Sequence, residues 1–294
     1  MLVGLPEVQG LVERFHHYFD GLIEFPGYPG LPERVLAVRQ LPEFLRDVHQ
    51  QQFDLALQMH GSGIISNPFT VLLGAKLTAG FFLPGEYCPD PDRFLPYPTN
   101  EPEVRRHLRL MAFLGIPLQG EALEFPLQEA DWRSLHTLEA ARDLQPGSYA
   151  CVHPGAYDPA RRWSTEQFAR VADALVARGL QVVLTGSAAE VPLTKAVVGS
   201  MQAPVLNLAG QTSLGALAAL LSKARLLVCN DTGVSHLAAA LAIPSVVIML
   251  TADTHRWAPL NRQRHRIVDG RVGATFAQVL DQVELLEDGQ CDAA

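Results

Sequence analysis

The stretch Leu226–Leu250, "LLVCNDTGVSHLAAALAIPSVVIML", decides how this chain folds. Its first four residues, Leu226–Cys229, form a short apolar run suited to a buried strand. Asp231, Thr232 and Gly233 then interrupt it, an alanine-rich helical segment follows, and "PSVVIML" is a second strand. Two apolar strands joined through one helix make a βαβ unit, and such units build parallel sheets. Polar residues belong at the first junction because ligands of parallel sheets bind beyond the carboxyl ends of strands. There the next helix offers unpaired N–H groups and the positive end of its dipole.

The same order runs upstream. "SYACVH", Ser148–His153, is a strand ending in a Pro-Gly turn. "STEQFARVADALVARG" opens on a Ser/Thr cap and places Phe168, Val171, Leu175 and Val176 at helical intervals before a glycine stop. Then come strand "LQVVLTGS", helix "AAEVPLTKAVVGSM", strand "VLNLAG" and helix "TSLGALAALLSKA". The alternation predicts a doubly wound domain over 147–272. The first half, 1–146, is less regular but still α/β. "DLALQM", Asp54–Met59, predicts a strand entering a Gly-Ser-Gly loop, and "PEVRRHLRLMAFLGIP" a helix closed by Gly115 and Pro117. A Pro-rich loop separates them, and Leu127–Pro146 is expected to link the domains. In the tail, 273–294, Phe276, Val279, Val283 and Leu286 recur at helical spacing.

Composition narrows the function. With 31 acidic against 23 basic side chains, a net charge of −8 and no basic block, a nucleic-acid partner is disfavoured. The longest mostly apolar run, Leu237–Leu250, is broken by Pro244, so no membrane span is expected. "MLVGLPEVQGLVERF" carries no secretion signal, which makes the cytoplasm the expected compartment. Cys88, Cys151, Cys229 and Cys291 have no metal-ligand spacing and are expected as free thiols. "DPD", Asp90–Asp92, fits an Asp-x-Asp metal pair only formally, and no metal site is expected.

Three strand-to-helix junctions carry chemistry. In "CNDTGVSH", Gly233 would let a phosphate approach the backbone, Thr232 can donate a hydroxyl, and His236 lies about one turn into the helix. An ordinary helix start, capped by Asp231, reads equally well there. "HPGAYDPARRWSTEQF" brings Arg161 and Arg162 just ahead of a helix, suited to an anionic leaving group or simply to a solvated loop. In "TGSAAEVPL", Glu190 could accept both hydroxyls of a ribose, although Glu is common in first helical turns. Together they line one edge of one sheet and suit a nucleotide-linked ligand. Neither a P-loop nor a GxGxxG follows a strand, which disfavours P-loop NTPases and ordinary dinucleotide dehydrogenases.

"HPGAYDPARRWSTEQFARVADAL", the Asp-Thr-Gly-x-x-His pattern of "NDTGVSH", and "RWAPL" resemble glycosyltransferase family 9, the heptosyltransferase family. The resemblance implies a GT-B fold, two Rossmann-like domains with parallel sheets facing across a cleft, and a terminal helix over 274–286 packing back toward the first domain. It implies an enzyme moving heptose with inversion from an ADP-heptose-like nucleotide-sugar donor to a lipopolysaccharide-core or related glycan acceptor. No cofactor or obligatory metal is implied, and the location would be cytoplasmic or peripheral to the inner membrane. By motif, Asp231, Thr232, Gly233 and His236 would hold the donor phosphates and sugar, and Arg161, where the family commonly has Lys, the leaving pyrophosphate. Glu190 would take the ribose and Thr212 would lie near the adenine, with His153, Gly155 and Arg162 completing the donor set.

One departure bears on catalysis. Family members usually begin with a strand and a Gly-containing loop bearing an Asp that serves as general base, ahead of a segment like "LVGLPEVQGLVERF", which here starts at Met1. The amino-terminal sheet is therefore expected to have a gap. His60 and Glu86 are the substitute bases, each with a plainer reading as a loop contact or a solvated carboxylate. A nucleotide-sugar-binding protein without turnover is the alternative.

Overall fold

The computed structural model describes residues 1–291, with side chains through 287. The chain divides into two compact units, Met1–Glu121 and Ala122–Ala294.

The first unit contains β1 (Leu2–Gly4), α1 (Gln9–Arg14), β2 (Leu22–Glu24), α2 (Leu41–Gln50), β3 (Leu55–Leu57), α3 (Ser66–Leu72), β4 (Leu77–Phe82), β5 (Phe94–Pro96) and α4 (Glu103–Phe113). Its strands are parallel but form two separate sheets, β1-β2 and β3-β4-β5. Both contribute to one small core: Val3, Ile23 and Ala56 pack against Phe25, Val48, Phe69 and Leu73. Among the described residues no strand pairing joins the two sheets. The strand expected over 54–59 is shorter, Leu55–Leu57, with both leucines exposed. Gly115 closes α4 as expected, at φ +76°.

The second unit contains α5 (Glu129–Thr137), β6 (Tyr149–His153), α6 (Thr165–Ala177), β7 (Gln181–Leu184), α7 (Val191–Ser200), β8 (Leu206–Asn207), α8 (Leu214–Leu221), β9 (Leu226–Asn230), α9 (Gly233–Ala240), β10 (Ser245–Met249), α10 (Thr254–Trp257), β11 (His265–Asp269) and α11 (Phe276–Cys291). One all-parallel sheet runs in the order β11-β10-β9-β6-β7-β8. Alternate residues of each strand feed opposite faces. Cys151, Leu227, Cys229 and Val247 meet α5, α8 and α9 on one face. Ala150, Val152, Val228 and Ile248 meet α6, α7 and α11 on the other. The strand order reverses between β6 and β9, so a crevice opens beyond their carboxyl ends.

Two boundaries differ from the sequence reading. Residues 127–146 do not act as a linker to the first unit, because Leu135 and Ala141 are buried in the second unit's core and α5 packs along α8. The division falls at 121/122 rather than 146/147. The stripe Val279, Val283, Leu286 of α11 is buried against the second unit's own sheet, beside α6, β10 and β11. Strand β11 carried no signal used in the sequence, since His265, Arg266 and Asp269 interrupt its apolar pattern.

Candidate donor site

The crevice residues come from the ends of β6, β7 and β9. β9 ends at Asn230, and α9 starts at Gly233 behind Thr232, whose extended backbone makes it the N-cap residue. No side chain caps this helix. Of the two sequence readings of Asp231, the helix cap is not realised: Asp231 points to Arg161, Nη1 to Oδ2 at 3.4 Å. A Cβ built on Gly233 would meet nothing within 4 Å, so the first turn of α9 opens onto free space. Uncapped N–H groups beside open space are a ready anion site.

Asp231 is buried whereas Arg161 is half-exposed. Burial raises the Asp231 carboxyl above the ordinary Asp range, with Arg161 and then His236 opposing that rise. Burial lowers His236, with Asp231 opposing it. Arg161, Asp231 and His236 thus form one electrostatic cluster. Arg161 ends a short 3-10 turn, Pro159–Arg161, which Asp158 caps by accepting from Ala160 N at 2.9 Å.

The neighbouring arginine behaves differently. Arg162 donates Nε to the Ala156 carbonyl at 2.8 Å and Nη2 to that of Tyr157 at 3.4 Å, so it braces its own loop. His153 is buried at the end of β6, with Nδ1 3.0 Å from Thr185 Oγ1 and Nε2 3.8 Å from Glu190 Oε2. Burial holds it below the usual histidine range despite Glu190. Glu190 Oε2 accepts from Ser187 N at 2.7 Å and Ser187 Oγ at 2.9 Å, a capping box at the start of the helical turn before α7. One carboxylate oxygen is therefore already engaged. A Cβ on Gly155 would stand 2.1 Å from Glu190 Oε1, so glycine is required for this carboxylate to sit where it does. Ser213, not Thr212, caps α8, accepting from Ala216 N at 3.1 Å; Thr212 lies half-buried in the loop before it.

The sequence reading missed the residue that ties these loops together. Asn230 is fully buried; Oδ1 accepts from Trp163 N at 3.0 Å, and Nδ2 donates to the carbonyls of Pro154 at 2.8 Å and Gly155 at 3.4 Å. It joins the "HPGA" and "RRW" loops to the end of β9. Trp163 extends the tie, donating Nε1 to Ala274 O at 3.1 Å while its ring meets Phe168 edge-on. An amide closing an otherwise apolar buried strand was the available signal.

Of the substitute bases, His60 pairs with Glu33 (Nε2 to Oε1, 3.1 Å), and Glu86 lies exposed in the turn after β4. Asp90 engages Arg93 and the Asp92 N–H rather than forming a carboxylate pair with Asp92. Among the described residues, no group of three or more His, Cys, Asp or Glu is placed to hold a metal ion. None of the described helices is long and apolar enough to cross a membrane.

A doubly wound sheet with an anion-ready helix start at its switch point, preceded in the chain by a separate parallel α/β unit, is the two-unit arrangement of the GT-B fold class. Residues 42–279 match glycosyltransferase family 9 (heptosyltransferase), and the chain belongs to that family. It is 30% identical over 182 residues to lipopolysaccharide heptosyltransferase 2 of Escherichia coli K12, covering 57% of this chain and 51% of the relative. The match thus spans about half the length of this curated relative. Among solved structures, a glycosyl transferase family 9 protein from Veillonella parvula DSM 2008 superposes with a TM-score of 0.77 at 19% identity, over 97% of this chain and 88% of the other. The E. coli ADP-heptose lps heptosyltransferase II does so with a TM-score of 0.73 at 20% identity, over 98% and 89%.

Proposed function

We propose that this protein is an inverting glycosyltransferase that moves a heptose from an ADP-heptose-like donor to a lipopolysaccharide-core or related glycan acceptor. The observation that carries the reading is the half-exposed Arg161 reaching buried Asp231 beside the uncapped start of α9. Family membership and the relatives' names supply the sugar and acceptor class.

In this reading the bond from the anomeric carbon to the distal phosphate oxygen breaks, and its electron pair stays on the departing nucleoside diphosphate. Arg161 and the first N–H groups of α9 stabilise the charge that grows there. Asp231 and His236 face the sugar and position Arg161. Glu190, through its remaining oxygen, takes a ribose hydroxyl, and Thr212 borders the base. The acceptor hydroxyl attacks from the opposite face and gives its proton to a general base. Transfer would occur in the cytoplasm, at the inner membrane surface if the acceptor is membrane-bound, a placement resting on the acceptor class alone.

The test combines calorimetric titration with ADP and ADP-heptose and an ADP-release assay on a heptose-deficient lipopolysaccharide core. The expected result is binding with release, abolished in Arg161→Ala and Asp231→Ala at unchanged fold. Wild-type-like turnover in both variants would falsify the assignment. Binding without release would identify a nucleotide-sugar-binding protein without turnover.

A further inference from the structure

On the second unit's outer edge strand, β11, lies an open cavity of about 360 Å³. Arg266 and Arg262 line it, with Thr254 of α10 and Gln282 of α11. Arg266 stands where the strand pattern calls for an apolar residue. It has the same parity as Val268, which is buried under α6 and α11. Its Nε is buried and has no hydrogen-bond partner among the described residues, so only the Nη end of its guanidinium is left to meet a ligand in the cavity. A buried unpaired donor on a permanent cation is costly, and an anion held at the open end of the same guanidinium would offset part of that cost.

The surrounding carboxylates do not fill that role. Asp269, which also lines the cavity, gives both oxygens to Arg271, at 2.9 and 2.5 Å. Glu284 and Glu287 of α11 are turned to Arg178. Arg262 donates Nη2 to the Thr254 carbonyl at 2.8 Å, fixing its guanidinium at the cavity. His265 Nδ1 lies 2.9 Å from Ser245 Oγ, and Arg264 turns away to the Ala242 carbonyl. Two guanidinium groups with a hydroxyl and an amide beside them are donors of the kind a phosphate oxyanion takes.

We infer that this cavity is a second anion site, taking the phosphomonoester group of a small molecule on the Arg262 and Arg266 guanidinium groups. It is separate from the donor site. Arg266 is in register with Val246 of β10, whereas Asn230 of β9 is in register with Ile248. The offset is two strands sideways, on the order of 10 Å, and two residues back toward the amino ends. The cavity is open to solvent and large enough for a phosphate group.

The test is calorimetric titration of the full chain with inorganic phosphate, beside flotation with phosphatidylcholine vesicles containing phosphatidic acid. Saturable phosphate binding, weakened at least tenfold in Arg266→Met and Arg262→Met but kept in Arg161→Ala, is expected, with ADP affinity unchanged in the first two. Loss of the phosphate response in Arg161→Ala alone would assign it to the donor site and overturn the inference. So would wild-type phosphate binding in Arg262→Met and Arg266→Met, no saturable binding by the wild type, or binding confined to vesicles. Should Arg266→Met lower the melting temperature, Arg262→Met, at an exposed position, decides alone. Because the Arg266 signal is read without turnover, its failure leaves the glycosyltransferase reading untouched.

Discussion

Replacing Asn230 should separate the stability of the fold from the positioning of the donor site. Its amide makes bonds at 3.0 and 2.8 Å to the Trp163 N–H and the Pro154 carbonyl, with a longer one to Gly155. Asn230→Ala leaves both close partners buried and unpaired, at about 1–3 kcal/mol each. Trp163 follows Arg161 by two residues, so slack there is transmitted directly to the Arg161–Asp231 contact. If about 2–3 kcal/mol of the loss appears as misplacement, kcat/KM falls roughly 30- to 150-fold at about 1.4 kcal/mol per decade. Leu175→Ala is the control. Leu175 is fully buried on α6, and the change costs about 2–5 kcal/mol of stability without removing a bond to either loop. Both variants should melt earlier, but only Asn230→Ala should lose kcat/KM and ADP affinity. Asn230→Asp adds a sharper readout. Its carboxylate cannot donate to the Pro154 carbonyl, but burial raises its pKa, and the protonated acid can. Its activity relative to wild type should therefore recover as pH falls from about 8 to about 5.5. Equal stability losses with wild-type kcat/KM in Asn230→Ala would refute the positioning role.

Gly155→Ala should weaken ADP binding more than tenfold, because its Cβ would stand 2.1 Å from Glu190 Oε1; in a Glu190→Ala background the same change should cost little, and a double-mutant cycle reads the coupling. Asp231→Asn should raise the melting temperature at neutral pH while abolishing transfer. A carboxyl raised by burial disfavours the folded state above its folded pKa, so the advantage should shrink as pH falls toward about 4; a constant difference across that window would contradict it. Burial, aided by Arg264, holds His265 at about 4. An imidazole neutral in the fold but protonated when unfolded makes stability fall from about pH 6.5 downward and level off near 4, by about 3 kcal/mol in all. His265→Asn should flatten that part of a denaturation-versus-pH series, and an unchanged slope would show that another group carries it.

The second unit was legible in the sequence because each of its central strands is buried on both faces. Runs such as "YACVH" and "LLVCN" are apolar at both parities, and the loops that follow concentrate the polar residues. The role of Asp231 was not legible: a helix-capping carboxylate and one turned to an arginine 70 residues upstream look alike in one dimension. Arg162 shows the same limit, since adjacency to Arg161 suggested a shared task while the fold gives it the Ala156 and Tyr157 carbonyls. Residues 127–146 were misread as a linker because Pro126 and Pro146 punctuate them. Yet Leu135 and Ala141 find partners on α8, far along the chain. In the first unit, strands of three residues leave too little alternation to fix a register.

The donor site holds several unfavourable terms that one ligand chemistry would relieve together. Asp231 is buried with its carboxyl raised, α9 starts without a side-chain cap, and Arg161 makes only a long contact to its partner. Each term weakens the empty fold, yet the surrounding residues are firmly fixed: Asn230 holds both loops, Arg162 braces one of them, and Glu190 is locked by Ser187. Rigid surroundings prevent the strained groups from relaxing toward one another, so their capacity stays available to a ligand. A pyrophosphate satisfies the α9 N–H groups and Arg161 but repels Asp231. In the proposed reading the phosphates therefore lie on the arginine side, leaving the Asp231 carboxylate for the hydroxyl donors of a sugar. On that reading leaving-group stabilisation falls to Arg161 and sugar recognition to Asp231, although the two side chains lie only 3.4 Å apart.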